Sequence, residues 1–83
     1  MKILFFSADW CSNCPSVKRL IKTMKLDTVD FDADKDPNEF KHYAIRGIPT
    51  LLFIDNDGKE TQRLTGKITQ DMIESFLGGN NAE

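Results

Sequence analysis

Cys11 and Cys14 are the only cysteines in this 83-residue chain, separated by Ser12 and Asn13. An apolar run, Ile3-Leu4-Phe5-Phe6, precedes them, and a helical pattern of Val17, Leu20, Ile21 and Met24 follows. The pair therefore sits where a strand hands over to a helix. The first turn of a helix carries unpaired N–H groups and the positive end of the macrodipole, and both favour thiolate over thiol. Cys11 is expected to ionise readily. Two sulfurs this close in sequence can also bond to each other, so one short loop holds a nucleophile, Cys11, and a resolving thiol, Cys14. Reversible disulfide exchange is the chemistry to expect.

The elements that must hold this dithiol can be read from hydrophobic periodicity. Lys2 to Ser7 reads as a strand buried on both faces, because four large apolar residues in a row leave no polar side. From about Ser12 to Lys25, Val17, Leu20, Ile21 and Met24 form one face and Lys18, Arg19, Lys22 and Lys25 the other, which predicts an amphipathic helix lying on the sheet. Pro15 is compatible with its first turn. Thr28 to Ala33 alternates as a second strand reached by a helical crossover. Asp36-Pro37-Asn38-Glu39 supplies a cap, a proline at the first helical position and a glutamate three residues after the cap, so a short helix is expected to run to about Ala44, with Gly47 as its stop. Thr50 to Ile54, the turn Asp55-Asn56-Asp57-Gly58 and the more polar Glu60 to Thr65 predict a β-hairpin whose second strand lies at the sheet edge. Thr69 can cap a last helix with Met72, Ile73, Phe76 and Leu77 as its apolar face and Gly78-Gly79 as its stop.

The chain length allows one domain, expected over residues 1–78, with 79–83 a flexible tail. Eleven Lys and Arg oppose thirteen Asp and Glu, a net charge of −2, and no basic stripe is interleaved with aromatics, which argues against nucleic acid as a partner. The N-terminal apolar run is too short for a signal-peptide core or a membrane span, so no membrane association and a cytoplasmic location are expected. In a reducing cytosol a lone Cys-x-x-Cys beside a strand-helix-strand pattern points to redox work, because structural staples do not persist there. Tetrahedral zinc would be a ligand short with two cysteines and one histidine, His42, and that histidine has no acidic partner at metal spacing. The acidic segment from Asp27 to Asp36 lacks the central glycine and terminal glutamate of a calcium loop. No metal site and no bound cofactor are expected beyond a redox-active Cys11–Cys14 disulfide.

Two stretches carry a family resemblance. Phe6-Ser7-Ala8-Asp9-Trp10-Cys11-Ser12-Asn13-Cys14, followed by Ile45-Arg46-Gly47-Ile48-Pro49-Thr50-Leu51-Leu52-Phe53 and a turn ending at Gly58, resembles thioredoxin over nearly the whole chain. The resemblance implies an α/β, minimal thioredoxin-like fold: a four-stranded mixed sheet with three flanking helices in the order β-α-β-α-β-β-α. Set beside a full thioredoxin, a form without the leading strand and helix is expected, and in length the chain is closer to a glutaredoxin. The resemblance further implies that Ile48-Pro49 is a cis peptide facing the dithiol and that the Ile48 backbone pairs with an extended client. Trp10, Ser12, Asn13, Ile48, Pro49 and Gly66 become the expected substrate-binding residues. Upstream, the resemblance implies a thioredoxin reductase with NADPH; downstream, disulfide-containing clients, with ribonucleotide reductase among them. The protein is expected to act as a monomer.

The departures from the family pattern are also informative. Ser12-Asn13 stands where thioredoxin has Gly-Pro, so the redox poise does not carry over. Where thioredoxin places a buried aspartate six residues before its first cysteine, this chain has Phe5, and the lysine paired with that aspartate matches Asp30. An acid on the neighbouring strand suggests that Asp30, half-buried beneath the dithiol, accepts the proton of Cys14; a solvated or capping carboxylate is the other reading. Two further functions compete with protein-disulfide reduction. A glutaredoxin would use glutathione, and Lys67 and Thr69 could hold its carboxylate, although Asp9, Trp10 and Ile48 replace the groups such a site wants. The thioredoxin shape could also serve as a binding module of a larger complex.

Overall fold

The computed structural model describes residues 1–79 of the chain. Its elements follow in the order β1 (Lys2–Ser7), α1 (Cys14–Thr23), β2 (Thr28–Asp32), α2 (Pro37–His42), β3 (Thr50–Ile54), β4 (Glu60–Thr65) and α3 (Gln70–Gly79). The strands form one mixed sheet in the order β2-β1-β3-β4. β1 and β2 run parallel, as a helical crossover requires, whereas β1–β3 and β3–β4 are antiparallel. The expected fold and element order are therefore present, with β4 at one edge.

Alternation along the two central strands divides the interior into two layers. Ile3 and Phe5 of β1 and Leu51 and Phe53 of β3 join Val17, Ile68 and Ile73, against which Leu20, Ile21, Met24, Phe76 and Leu77 pack. Leu4, Phe6 and Leu52 face the other way, toward Phe31, Phe40, Tyr43, Ile45 and Ile48. α1 and α3 thus cover one face of the sheet and α2 the other, which explains why β1 has no polar side. Phe6 centres the second layer: its ring stacks on Phe31 with centroids 5.2 Å apart and meets Phe40 edge-on at 5.1 Å.

Both α1 and α2 end without glycine. After α1, Lys25 takes a left-handed φ of 55°, its N–H bonds to the Lys22 carbonyl at 3.1 Å and the Leu26 N–H to the Ile21 carbonyl at 3.0 Å. After α2, Ala44 has φ 53°, with the same pair of bonds from Ala44 to Lys41 at 3.1 Å and from Ile45 to Phe40 at 2.8 Å. These are Schellman closures, in which Leu26 and Ile45 are drawn back onto the core. α2 accordingly stops at His42, ahead of the expected Ala44, and Gly47 is not its terminator. Its start also differs from expectation. Asp36 is the N-cap and Pro37 opens the helix, but the Asp36 carboxylate makes no cap bond; it accepts the Asp32 N–H at 2.9 Å and ties α2 to the end of β2. The Thr69 cap does form, accepting the Met72 N–H at 3.2 Å. α3 continues through Gly78 to Gly79 instead of stopping before them, and residues 80–83 of the expected tail lie outside the described residues.

The hairpin turn is closed by Asp55, whose carboxylate accepts the N–H groups of Asp57 and Lys59, both at 2.9 Å. Gly58 has φ 85°, the left-handed geometry such a turn demands. No helix among the described residues is long and apolar enough to cross a membrane.

Candidate active site

β1 ends at Ser7 and delivers the chain directly into the loop that carries Trp10 and the cysteine pair. The Cys11 N–H bonds to the Ala8 carbonyl at 3.2 Å, closing a tight turn before the helix. Cys11 and Cys14 are joined as a disulfide with their Cα atoms 5.4 Å apart, within the ordinary span of such a bond. α1 begins at Cys14 and not at Ser12, so Cys14 occupies the first turn and Cys11 lies just ahead of it. Pro15 falls in that first turn, where its missing N–H leaves no bond unmade. Ser12 and Asn13 between the sulfurs are exposed, and the Ser16 hydroxyl donates to the Asn13 carbonyl at 3.1 Å, stiffening the turn.

The two sulfurs are not equivalent. Cys14 is 1% exposed and Cys11 8%, so an incoming group reaches Cys11 first, along a narrower opening than a freely accessible thiol would present. They share an apolar cluster with Ala8, against which Ala33 and Ile48 pack. Ile48 thus brings the segment before β3 against the disulfide, and the Ile48–Pro49 peptide is cis, as the resemblance implied.

Trp10 projects beside the pair with 67% of its surface exposed, yet it is held: its indole N–H donates to the Asp34 carboxylate at 3.2 Å. Asp34 is placed in turn by Asp32, whose carboxylate accepts the N–H groups of Asp34 at 2.8 Å and Lys35 at 3.2 Å. Trp10, Ala33, Phe40, Ile45, Gly47 and Ile48 line a slot of about 160 Å³ with Arg46 at its rim. Asp34 was not singled out in the sequence. The acidic run from Asp27 to Asp36 concealed it, because nothing in the spacing tells a turn-forming carboxylate from one that reaches across to another loop.

The segment from Ile45 to Pro49 is fixed at both ends by β4 and the glycine that follows it. At the far end, the Gly66 N–H bonds to the Pro49 carbonyl at 3.0 Å, with Gly66 at φ 88°. The Thr50 hydroxyl donates to the Gly47 carbonyl at 2.7 Å and contacts the Thr65 hydroxyl at 3.1 Å. A Cβ at Gly47 would stand 3.2 Å from the Thr65 methyl, which gives Gly47 a packing reason in place of the helix-stopping one. At the near end, Arg63 donates to the carbonyls of Tyr43 at 2.8 Å and Ala44 at 3.1 Å while its guanidinium forks onto Glu60 at 2.8 and 2.9 Å. The Arg63–Glu60 hydrogen bond is the largest influence holding Glu60 below the ordinary carboxylate range and Arg63 above its own usual value.

Asp30 departs from expectation. It is exposed, not half-buried, and its carboxylate accepts the Thr28 hydroxyl at 2.7 Å. It pairs in register with Phe5, which is buried in the core, and lines a groove of about 450 Å³ with Pro15 and the basic residues Lys18, Arg19 and Lys22. The groove opens beside Pro15, one residue after Cys14, but the burial on which the proton-acceptor reading rested is missing. β2 is an edge strand, and Phe5 fills the interior position that an acid there would need. His42 lies on α2 with its ring edge-on to Tyr43 at 4.6 Å, away from the cysteines.

A family model described as Thioredoxin matches residues 1–78. A thioredoxin from Acidithiobacillus ferridurans is 32% identical over 78 residues, an alignment that takes in 87% of this chain and 71% of the relative. Among solved structures, a single-substitution mutant of thioredoxin from Halobacterium salinarum superposes with a TM-score of 0.80 at 25% identity, covering 93% of this chain and 71% of the other. Thioredoxin 1 from Thermosipho africanus gives 0.71 at 25% identity, with 98% and 99% of the two chains covered.

Proposed function

The chain belongs to the thioredoxin family and is a thiol-disulfide oxidoreductase acting on disulfide-containing substrates, and from that premise we propose that it reduces protein disulfides with Cys11 as nucleophile and Cys14 as resolving thiol. One observation carries the assignment of roles: the bonded pair heads α1 with Cys11 the less covered sulfur-bearing residue and Ile48 packed against it. In the reduced protein the Cys11 thiolate attacks one sulfur of a client disulfide, forming a Cys11–client bond and expelling the other client sulfur as a thiolate. Cys14 then gives up its proton and attacks the Cys11 sulfur. The second client thiolate leaves and takes up a proton, and Cys11–Cys14 is left oxidised. Two electrons have passed from the dithiol to the client. The helix N-terminus beneath Cys14 favours the anionic sulfurs at each stage.

Trp10 covers one side of the opening and the backbone at Ile48 offers an extended client a strand to pair with, while Pro49 and Gly66 shape the far side. Ser12 and Asn13, exposed between the sulfurs, set the approach to Cys11. The electrons return from NADPH through a thioredoxin reductase: one hydride and one proton restore two thiols. Clients whose own turnover leaves a disulfide, ribonucleotide reductase among them, fit this cycle, and a cytoplasmic pool of the monomeric protein would supply them. The test is insulin reduction by the purified protein with NADPH and either thioredoxin reductase or glutathione plus glutathione reductase. Turnover with the first system alone is expected; turnover only with glutathione would replace this reading by a glutaredoxin one.

A further inference from the structure

The segment that meets the client, Ile45 to Pro49, belongs to neither a helix nor a strand, yet its geometry must be kept if a client strand is to pair with Ile48. Its flanks converge on one element. Arg63 and Thr65 lie two residues apart on β4, opposite Leu52 and Thr50, so period-two alternation puts both side chains on the face of the sheet that α2 covers. Thr65 and Gly66 hold the far end of the segment through Thr50, Gly47 and Pro49. Arg63 holds the near end, donating to the carbonyls of Tyr43 and Ala44 just past the end of α2.

We propose that Arg63 is a positioning residue for client binding, clamping the left-handed corner at Ala44 so that Ile45 to Ile48 present a fixed edge to an incoming extended segment. The clamp rests on the assignment of Ile48 as the client-pairing backbone made above. Its chemistry suits the task. A guanidinium has five donors in a planar fork, so it can make all four of these bonds at once, to two carbonyls and both oxygens of a carboxylate, whereas an ammonium has three donors. Glu60 holds the fork in plane from behind, at 2.8 and 2.9 Å. The helix C-terminus supplies carbonyls with no partner inside the helix and a partial negative charge, both of which favour a cation there. Ala44 has no glycine's freedom to rest in its left-handed conformation, so the ties from Arg63 add to the two closing N–H bonds in holding the corner.

A structural role confined to stability would not distinguish protein clients from small disulfides, whereas a clamp on the docking edge does. With dithiothreitol as reductant, Arg63→Gln is expected to raise KM for insulin roughly three- to tenfold, with kcat near wild type. Its rate toward a small aromatic disulfide, which needs no docking edge, should stay within about twofold of wild type. In Arg63→Lys, which keeps the charge and the aliphatic stem, hydrogen exchange of the amides from Ile45 to Ile48 should accelerate while those of β1 and β3 do not. An unchanged insulin KM in Arg63→Gln, an equal loss toward both substrates, or unchanged exchange over Ile45 to Ile48 in Arg63→Lys would each overturn the proposal. Failure of the unaltered protein to reduce insulin at all would instead count against the parent assignment.

Discussion

At the scale of single residues, the unequal exposure of the two cysteines makes the sharpest prediction. Cys14→Ser leaves Cys11 able to attack but removes the sulfur that completes the cycle, so the variant should accumulate a covalent client adduct that dithiothreitol releases, seen as a shifted band on a non-reducing gel. Cys11→Ser should form no adduct, since the remaining thiol is the 1%-exposed one. Glu60 supplies a second, pH-dependent test. Its folded pKa is lowered by Arg63, so its stabilising contribution is present above the ordinary carboxylate pKa and disappears as pH falls through the lowered folded value. The stability gap between the wild type and Glu60→Gln, measured by urea unfolding, should therefore be widest near neutrality and close in acid. It should also be small throughout, because the pair is largely solvated.

The two helix closures are where element-scale physics is most exposed to test. A non-glycine residue in the left-handed region costs about 1–2 kcal/mol, and nothing at Ala44 depends on its methyl group for the bonds described. Ala44→Gly should raise unfolding stability by about 1 kcal/mol, read as a higher urea midpoint with an unchanged slope. The same closures show why boundaries were harder to read than elements. The apolar runs of β1 and β3 and the helical periodicities of α1 and α3 announced themselves, and the strands at Lys2–Ser7, Thr50–Ile54 and Glu60–Thr65 stand where those runs and the turn residues placed them. α2 ended early because Ala44 took a conformation that composition assigns to glycine, and Gly47 misled because its small size serves Thr65. Asp36 likewise had the right spacing for a capping box, but its carboxylate found a backbone partner in β2 instead. The half-burial expected of Asp30 is absent for a related reason: alternation shows which side of a strand a residue takes, not whether anything covers that side.

For the molecule as a whole, the dithiol was legible because its chemistry is concentrated in adjacent residues and the cis proline through the family resemblance, whereas the supports around them were not. Trp10 needs Asp34, 24 positions away, and Ala44 needs Arg63, 19 away; contacts of that range leave no periodic trace. Replacing both cysteines by serine should abolish insulin reduction and leave the unfolding transition cooperative, since the two layers of the core depend on β1 and β3 and not on the sulfurs. Binding to a partner that survives this double change would reveal a role for the scaffold apart from electron transfer. Trp10 has one more implication. It is the chain's sole tryptophan and it adjoins the disulfide. Disulfides quench excited indoles by accepting an electron, so fluorescence at the tryptophan band becomes an unlabelled optical gauge of the oxidation state: dim when the sulfurs are joined, brighter once they part.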